Sequence, residues 1–159
     1  MKKTIVIAVM LFNAISALSQ SIPTVAQDFE LFTMNVPSDI EYINSDDDSG
    51  CFGFKRNNTK FVSSICFFMI DERFDIRERM AEEASEFGID INMCKHFSIT
   101  TGKEAPLSCV MADIGEFTLI IGLYPDYKTK TGIYINIADG NKGRDGLAML
   151  MLSSFRLKD

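Results

Sequence analysis

Apolar residues in this chain fall in short strand-like runs, and the period changes to that of a helix in only two places. The clearer of these is residues 75–88. Ile76, Met80, Ala84 and Phe87 follow one another at spacings of four, four and three, which makes one stripe along a helix. Asp75 with Glu78 has the form of a capping box, and Gly88 suits the position after a helix end. Glu82, Glu83 and Glu86 are expected to face away from the stripe, on a solvated surface. The second place is residues 147–152, apolar throughout, which predict a short last helix before Ser153-Ser154-Phe155.

Before and between these lie apolar runs punctuated by turn signals. Residues 29–37 predict a first strand ended by Pro37, after a loose lead-in over 20–28. Residues 38–42 read as a turn and a short extended piece, and 44–50 as a loop. Residues 51–56 and 61–70 predict a hairpin around Asn57-Asn58-Thr59-Lys60. Residues 91–100 and 104–114 predict another around Thr101-Gly102-Lys103. Residues 117–124 and 131–138 are further strands, joined by a turn over 125–130. The expected fold class is α+β: one domain over 20–159, a mostly antiparallel sheet flanked by two helices.

Residues 1–19 are expected to lie outside that domain. Lys2 and Lys3 precede an apolar stretch of about fifteen residues, short of the roughly twenty that a bilayer span needs. Ala17-Leu18-Ser19 then offers small residues at a cleavage site, completing the pattern of a secretory signal peptide. No cysteine stands near that point to carry a lipid. Removing residues 1–19 removes two lysines and no acid, so the net charge moves from −6 to −8. An acidic chain lacks the basic face that a phosphate backbone requires, which argues against nucleic-acid binding.

Export permits disulfides, and four cysteines allow three pairings. A two-residue loop at Asn58-Thr59 would set Cys51 opposite Cys66, Phe52 opposite Ile65 and Phe54 opposite Ser63. Directly opposed strand residues are close enough for a bridge. A two-residue loop at Thr101-Gly102 would likewise pair Cys94 with Cys109, but it sets Phe97 and Ile99 against Pro106 and Glu104. A three-residue loop pairs Phe97 with Leu107 and Ile99 with Ala105, and puts the two cysteines on opposite faces. The expected disulfide is Cys51–Cys66. The Cys94–Cys109 pairing stays open, with buried free thiols as the alternative.

Catalytic signals are sparse. His96 is the one histidine, two residues from Cys94 in an expected strand, with no glycine-rich elbow to activate a nucleophile. Ser63-Ser64 lies inside an apolar strand, with no Gly-x-Ser-x-Gly around it. No cysteine or histidine spacing suits zinc. Asp46, Asp47 and Asp48 could offer oxygen ligands to a hard cation, but their spacing departs from an EF-hand loop, and a solvated acidic turn is expected. Gly140, Gly143 and Gly146 lack the order of a phosphate-binding loop. Asn57-Asn58-Thr59 is a glycosylation sequon, relevant in a eukaryotic secretory pathway. No cofactor, metal site or catalytic residue is assigned.

The order of elements adds a resemblance. The first strand ends Val36-Pro37-Ser38, and the last helix ends Leu152-Ser153-Ser154-Phe155. In both respects the chain resembles the Mog1/PsbP/DcrB-like superfamily over most of residues 29–157. The tryptophan that usually follows the proline there is missing, with Ile40 and Tyr42 nearby. The resemblance implies an α/β/α sandwich and a non-enzymatic binding or assembly role.

The reading that follows is an exported, non-enzymatic binding or assembly module of the bacterial envelope, periplasmic or secreted. Its expected partner is another protein, and the acidic balance of the chain favours a basic one. The alternatives are a small secreted hydrolase using carboxylates, and an inhibitor or immunity-type protein acting on a basic partner. Mass spectrometry of the exported protein is expected to find Gln20 as its first residue; an intact Met1 would contradict the leader.

Overall fold

The two most continuously apolar strands of the domain sit side by side within a large sheet, where both faces are covered. A computed structural model describes residues 22–43, 51–57, 59–103, 105–140 and 146–158. Its strands are β1 (Thr24–Asp28), β2 (Phe32–Pro37), β3 (Ile40–Ile43), β4 (Cys51–Arg56), β5 (Phe61–Met69), β6 (Lys95–Ile99), β7 (Leu107–Ile114), β8 (Phe117–Asp126), β9 (Thr131–Asp139) and β10 (Arg156–Leu157). Helix α1 (Ile76–Glu86) follows β5, a 3₁₀ turn spans Ile91–Met93, and helix α2 (Gly146–Ser153) precedes β10.

A seven-stranded sheet has the order β3-β4-β5-β9-β8-β7-β6, and a three-stranded sheet the order β1-β2-β10. All their pairings are antiparallel. Alternation along the strands divides the large sheet into two faces. One face, with Val110, Leu119, Ile121, Leu123 and Tyr134, packs against Met80 and Ala84 of α1. The other, with Phe54, Phe61, Ile65, Ile120, Ile133 and Ile135, packs against Phe32, Met34 and Val36 of β2 and Leu147, Met151 and Leu152 of α2. Three layers result: α1, the large sheet, and a layer made of α2 and the small sheet. The α+β class and the mostly antiparallel sheet are as expected.

Local chemistry explains the ends of α1. The Asp75 carboxylate accepts from the Arg77 amide at 2.8 Å and the Glu78 amide at 3.0 Å, which satisfies two donors of the first turn. Gly88 takes φ 71°, and its amide donates to the Ser85 carbonyl at 2.9 Å. The first hairpin has the expected register, with Cys51 opposite Cys66 and Phe54 opposite Ser63.

Several expectations need correction. The lead-in over 20–28 contains a strand: β1 pairs along all of its length with β2, Thr24 opposite Pro37 and Asp28 opposite Thr33. Its residues are mostly exposed, so no apolar pattern announced it. The first strand, expected over 29–37, starts at Phe32, because the Phe29 amide turns back to the Phe32 carbonyl at 2.9 Å. Residues 91–93 form a 3₁₀ turn rather than strand. Neither short loop at Thr101-Gly102 forms. β6 meets β7 with Phe97 opposite Cys109 and Ile99 opposite Leu107. The Thr101 hydroxyl donates to the Ala105 carbonyl at 2.7 Å, and this bond organises a longer connection.

Residues 1–19, Asp46, Asp47, Asp48, Asn58 and Gly143 lie outside the described residues.

Gly132 carries a packing prediction. It lies opposite Phe68, and a Cβ there would collide with the Phe68 ring. Gly132→Ala is expected to lower unfolding stability by about 1–3 kcal/mol, read by urea denaturation. An unchanged midpoint would show that the ring moves freely.

Candidate functional site

Helix α1 covers only part of its face of the large sheet. Beside its C-terminal half, β4, β5 and β9 stay partly open and form a cleft of about 450 Å³. The register builds its floor. Cys51, Cys66 and Tyr134 lie in one row across β4, β5 and β9, and Ser64 lies opposite Asn136 in the next. Arg79, Glu83, Glu86 and Phe87 of the helix end make the wall. Ile43 and Val62 extend the same open face and are 42% and 45% exposed.

Glu83 corrects the sequence reading, since it is buried rather than solvated. At 100° per residue it falls about 20° from Ile76, inside the apolar stripe. Its angular position puts it in the stripe although its charge suits the surface. Burial of the carboxylate is compensated locally. Arg79, one turn earlier, pairs with it and also with Glu82 at 3.4 Å. The Arg79 guanidinium lies 5.5 Å from the Phe68 ring centroid, a cation–π arrangement. The Tyr134 hydroxyl also interacts with Glu83 and with Asn136. Burial, then the negative charge of Glu83, pushes the Tyr134 phenol well above its ordinary value of 10.0.

Phe87 is corrected in the opposite sense. It caps the stripe in sequence, but it sits at the helix end with 40% of its surface exposed. Glu86 and Glu82 remain exposed beside it, and no basic residue occupies the last turn of α1. The carbonyl end of a helix is itself partly negative. That corner of the cleft therefore concentrates negative potential against an exposed aromatic ring.

Cys51 and Cys66 are bonded in the structure, with 4.0 Å between their Cα atoms. The bond forms part of the cleft floor. Cys94 and Cys109 are free thiols. The β6–β7 register puts them on opposite faces. Burial pushes the Cys109 thiol up to about 12. Burial and then Asp90 also raise Cys94, so the thiolate is disfavoured at both. His96 does not engage Cys94; its Nε2 lies 3.0 Å from the Ile91 carbonyl oxygen. Ser63 is buried, its hydroxyl donating to the Asn136 carbonyl at 2.8 Å. Among the described residues no group of three or more His, Cys, Asp or Glu side chains is placed to hold a metal ion. What the site offers chemically is a shaped, acidic and partly aromatic surface.

The layers and connections define an α+β domain with a Mog1/PsbP-like fold. It is similar to the Saccharomyces cerevisiae Ran-binding protein Mog1p, at TM-score 0.54 and 12% identity, over 85% of this chain and 95% of that one. A mutant of protein Mog1 aligns at TM-score 0.52 and 13% identity, over 86% of this chain and 97% of the other. A crystal structure from Bacteroides thetaiotaomicron aligns at TM-score 0.54 and 14% identity over 81% of this chain. The present chain covers 46% of that longer protein. No known family profile and no curated protein sequence matches the chain. At these identities the likeness is one of fold.

The raised Tyr134 phenol has a consequence at high pH. An unfolded tyrosine ionises near 10 and the folded Tyr134 only above that. Its contribution is therefore intact below pH ~10 and is lost as the pH rises through the folded value. Tyr134→Phe is expected to flatten the fall in urea midpoint between about pH 9 and about pH 11. An identical slope in both proteins would remove the assignment.

Proposed function

We propose that this chain is a non-enzymatic protein-binding domain that works outside the cytoplasm, in the bacterial envelope or beyond it. The observation that carries this reading is the cleft beside α1. It is open, floored by the bonded Cys51 and Cys66 with Ser64 and Tyr134, and walled by the exposed Phe87 ring beside Arg79, Glu83 and Glu86. Such a surface fits recognition of a side chain better than turnover of a substrate. The Mog1-like fold supports the reading, because one structure that shares it is described as Ran-binding.

Two features support export. The sequence opens with the pattern of a leader, and Cys51 and Cys66 are oxidised. The bridge would be stable in an oxidising compartment. The partner is a protein with a basic contact surface. The acidic charge of the chain steers it toward such a surface, and Glu86 pairs with no cation among the described residues.

Capture from envelope extracts tests the reading. The wild-type protein is expected to retain a basic protein at low salt and release it as salt rises. A Glu82→Lys/Glu86→Lys variant, changed only at exposed positions, is expected to weaken retention by about tenfold or more. Retention indifferent to both salt and the reversed charges would overturn it.

A further inference from the structure

The floor of the cleft beside α1 carries the one covalent bond of the site that thiol chemistry can open. Cys51 and Cys66 face each other across β4 and β5, with 4.0 Å between their Cα atoms, and both line the cleft. Each is only partly buried. The space above them, about 450 Å³, lies within the range of small-molecule sites. A thiol on a small molecule or on a side chain therefore has room to reach the bond.

The bond also stands where the fold can spare it. Cys51–Cys66 is the last rung of the β4–β5 ladder, and four further pairs run from Phe52–Ile65 to Lys55–Val62. The β3–β4 ladder stops at Gly53, short of Cys51. Further along β4, Phe54 is fully buried and Arg56 holds Asp39 through two hydrogen bonds of 2.8 Å. Opening the bond releases the first residue of β4 and leaves the register of the strand in place. Cys94 and Cys109 take no part: Cys94 ends the 3₁₀ turn, Cys109 is buried in the core on the opposite face, and neither lines the cleft. An attacking thiol has to come from another molecule.

The charges around the bond select that thiol. The attacking species is the thiolate, an anion. Arg79 lines the cleft but is engaged by Glu82 and Glu83. Glu86 adds a further negative charge, which reaches the hydroxyl of Tyr134, the residue opposite Cys66 on β9. A thiolate with no positive group beside it is repelled on its way in. One flanked by positive charge is not.

We propose that the Cys51–Cys66 bond is a thiol–disulfide exchange site whose substrate is a thiol carried beside positive charge on a partner protein. This rests on the protein-binding reading of the cleft and adds a covalent step to it. The partner thiolate attacks the Cys51 sulfur, which stands at a strand end, whereas Cys66 is flanked by β4 and β9. A bond forms between the partner sulfur and Cys51 as the Cys51–Cys66 bond breaks. Cys66 leaves as a thiolate and takes a proton from water. A second partner thiol then attacks the partner sulfur of the mixed disulfide. The partner departs oxidised to a disulfide, and its two electrons remain with Cys51 and Cys66, now both thiols.

Timed reduction of the folded protein tests the site, with bond opening counted by alkylation and mass spectrometry. Cysteamine, 2-mercaptoethanol and 2-mercaptoethanesulfonate are compared at equal thiolate concentration. At low salt the cationic thiol is expected to react fastest and the anionic one about tenfold more slowly, and salt is expected to narrow the gap. Glu86→Lys, at an exposed position, is expected to speed the anionic thiol severalfold. Cystamine is expected to load the Cys51 thiol of Cys66→Ser about tenfold faster than the Cys66 thiol of Cys51→Ser. The reduced protein is expected to keep its circular dichroism and a cooperative urea transition. Reduction at one common rate for all three thiols, or a reduced chain that unfolds, would overturn the proposal. Equal loading of the two single-cysteine variants would overturn the choice of Cys51. Failure of the exchange beside salt-sensitive retention of a basic protein would strike this proposal and spare the binding reading. Loss of retention with the rate order intact would strike the binding reading and leave the exchange chemistry standing.

Discussion

The strand register across β4, β5, β9 and β8 is the constraint on which the rest depends. In a sheet the side chains alternate between faces, so one choice of register sends every residue to one side or the other. Here it puts Cys51, Cys66 and Tyr134 in one row under the edge of α1. It sends Phe54, Ile65 and Ile133 to the opposite face, under β2 and α2. A slip by one residue would expose the larger core and bury the cleft floor. The lengths of the β5–β9 and β8–β9 ladders hold this register, because both faces reject the alternative.

The two faces are closed differently, and the candidate site arises from that inequality. A single eleven-residue helix cannot cover a seven-stranded sheet. It covers the middle and leaves the row beside β4 and β5 open, where its own end supplies the acids and the exposed Phe87 ring. The other face is covered by a short sheet and a short helix, which seal most of the core. The opening beside α1 is not made by an unusual residue; it follows from element lengths that do not match.

Much of this was legible in the sequence where local chemistry is decisive. Asp75 and Gly88 marked the limits of α1, and both do the expected work. The first hairpin declared its register because both its faces discriminate. The second hairpin did not. Its register depends on the Thr101–Ala105 bond and on how β7 meets β8, and neither is visible in the spacing of Thr101-Gly102. β1 was illegible for another reason: an edge strand is held by backbone bonds to its neighbour, and its side chains need carry no pattern.

The candidate sites divide in the same way. The pairing of Cys51 with Cys66 could be proposed from register alone. Glu83 was detectable from helical geometry but was assigned by its charge, and only the presence of Arg79, Phe68 and Tyr134 around it explains why a carboxylate lies inside. Phe87 looked like core and became surface, because burial depends on what lies opposite and no sequence pattern supplies that. By itself the sequence determined the α+β class, the helix limits, the first hairpin and the acidic balance, all of which rest on period, capping and charge. Only the tertiary structure decided the cleft beside α1. It is made by residues distant in the chain, where layers of unequal length fail to cover one another.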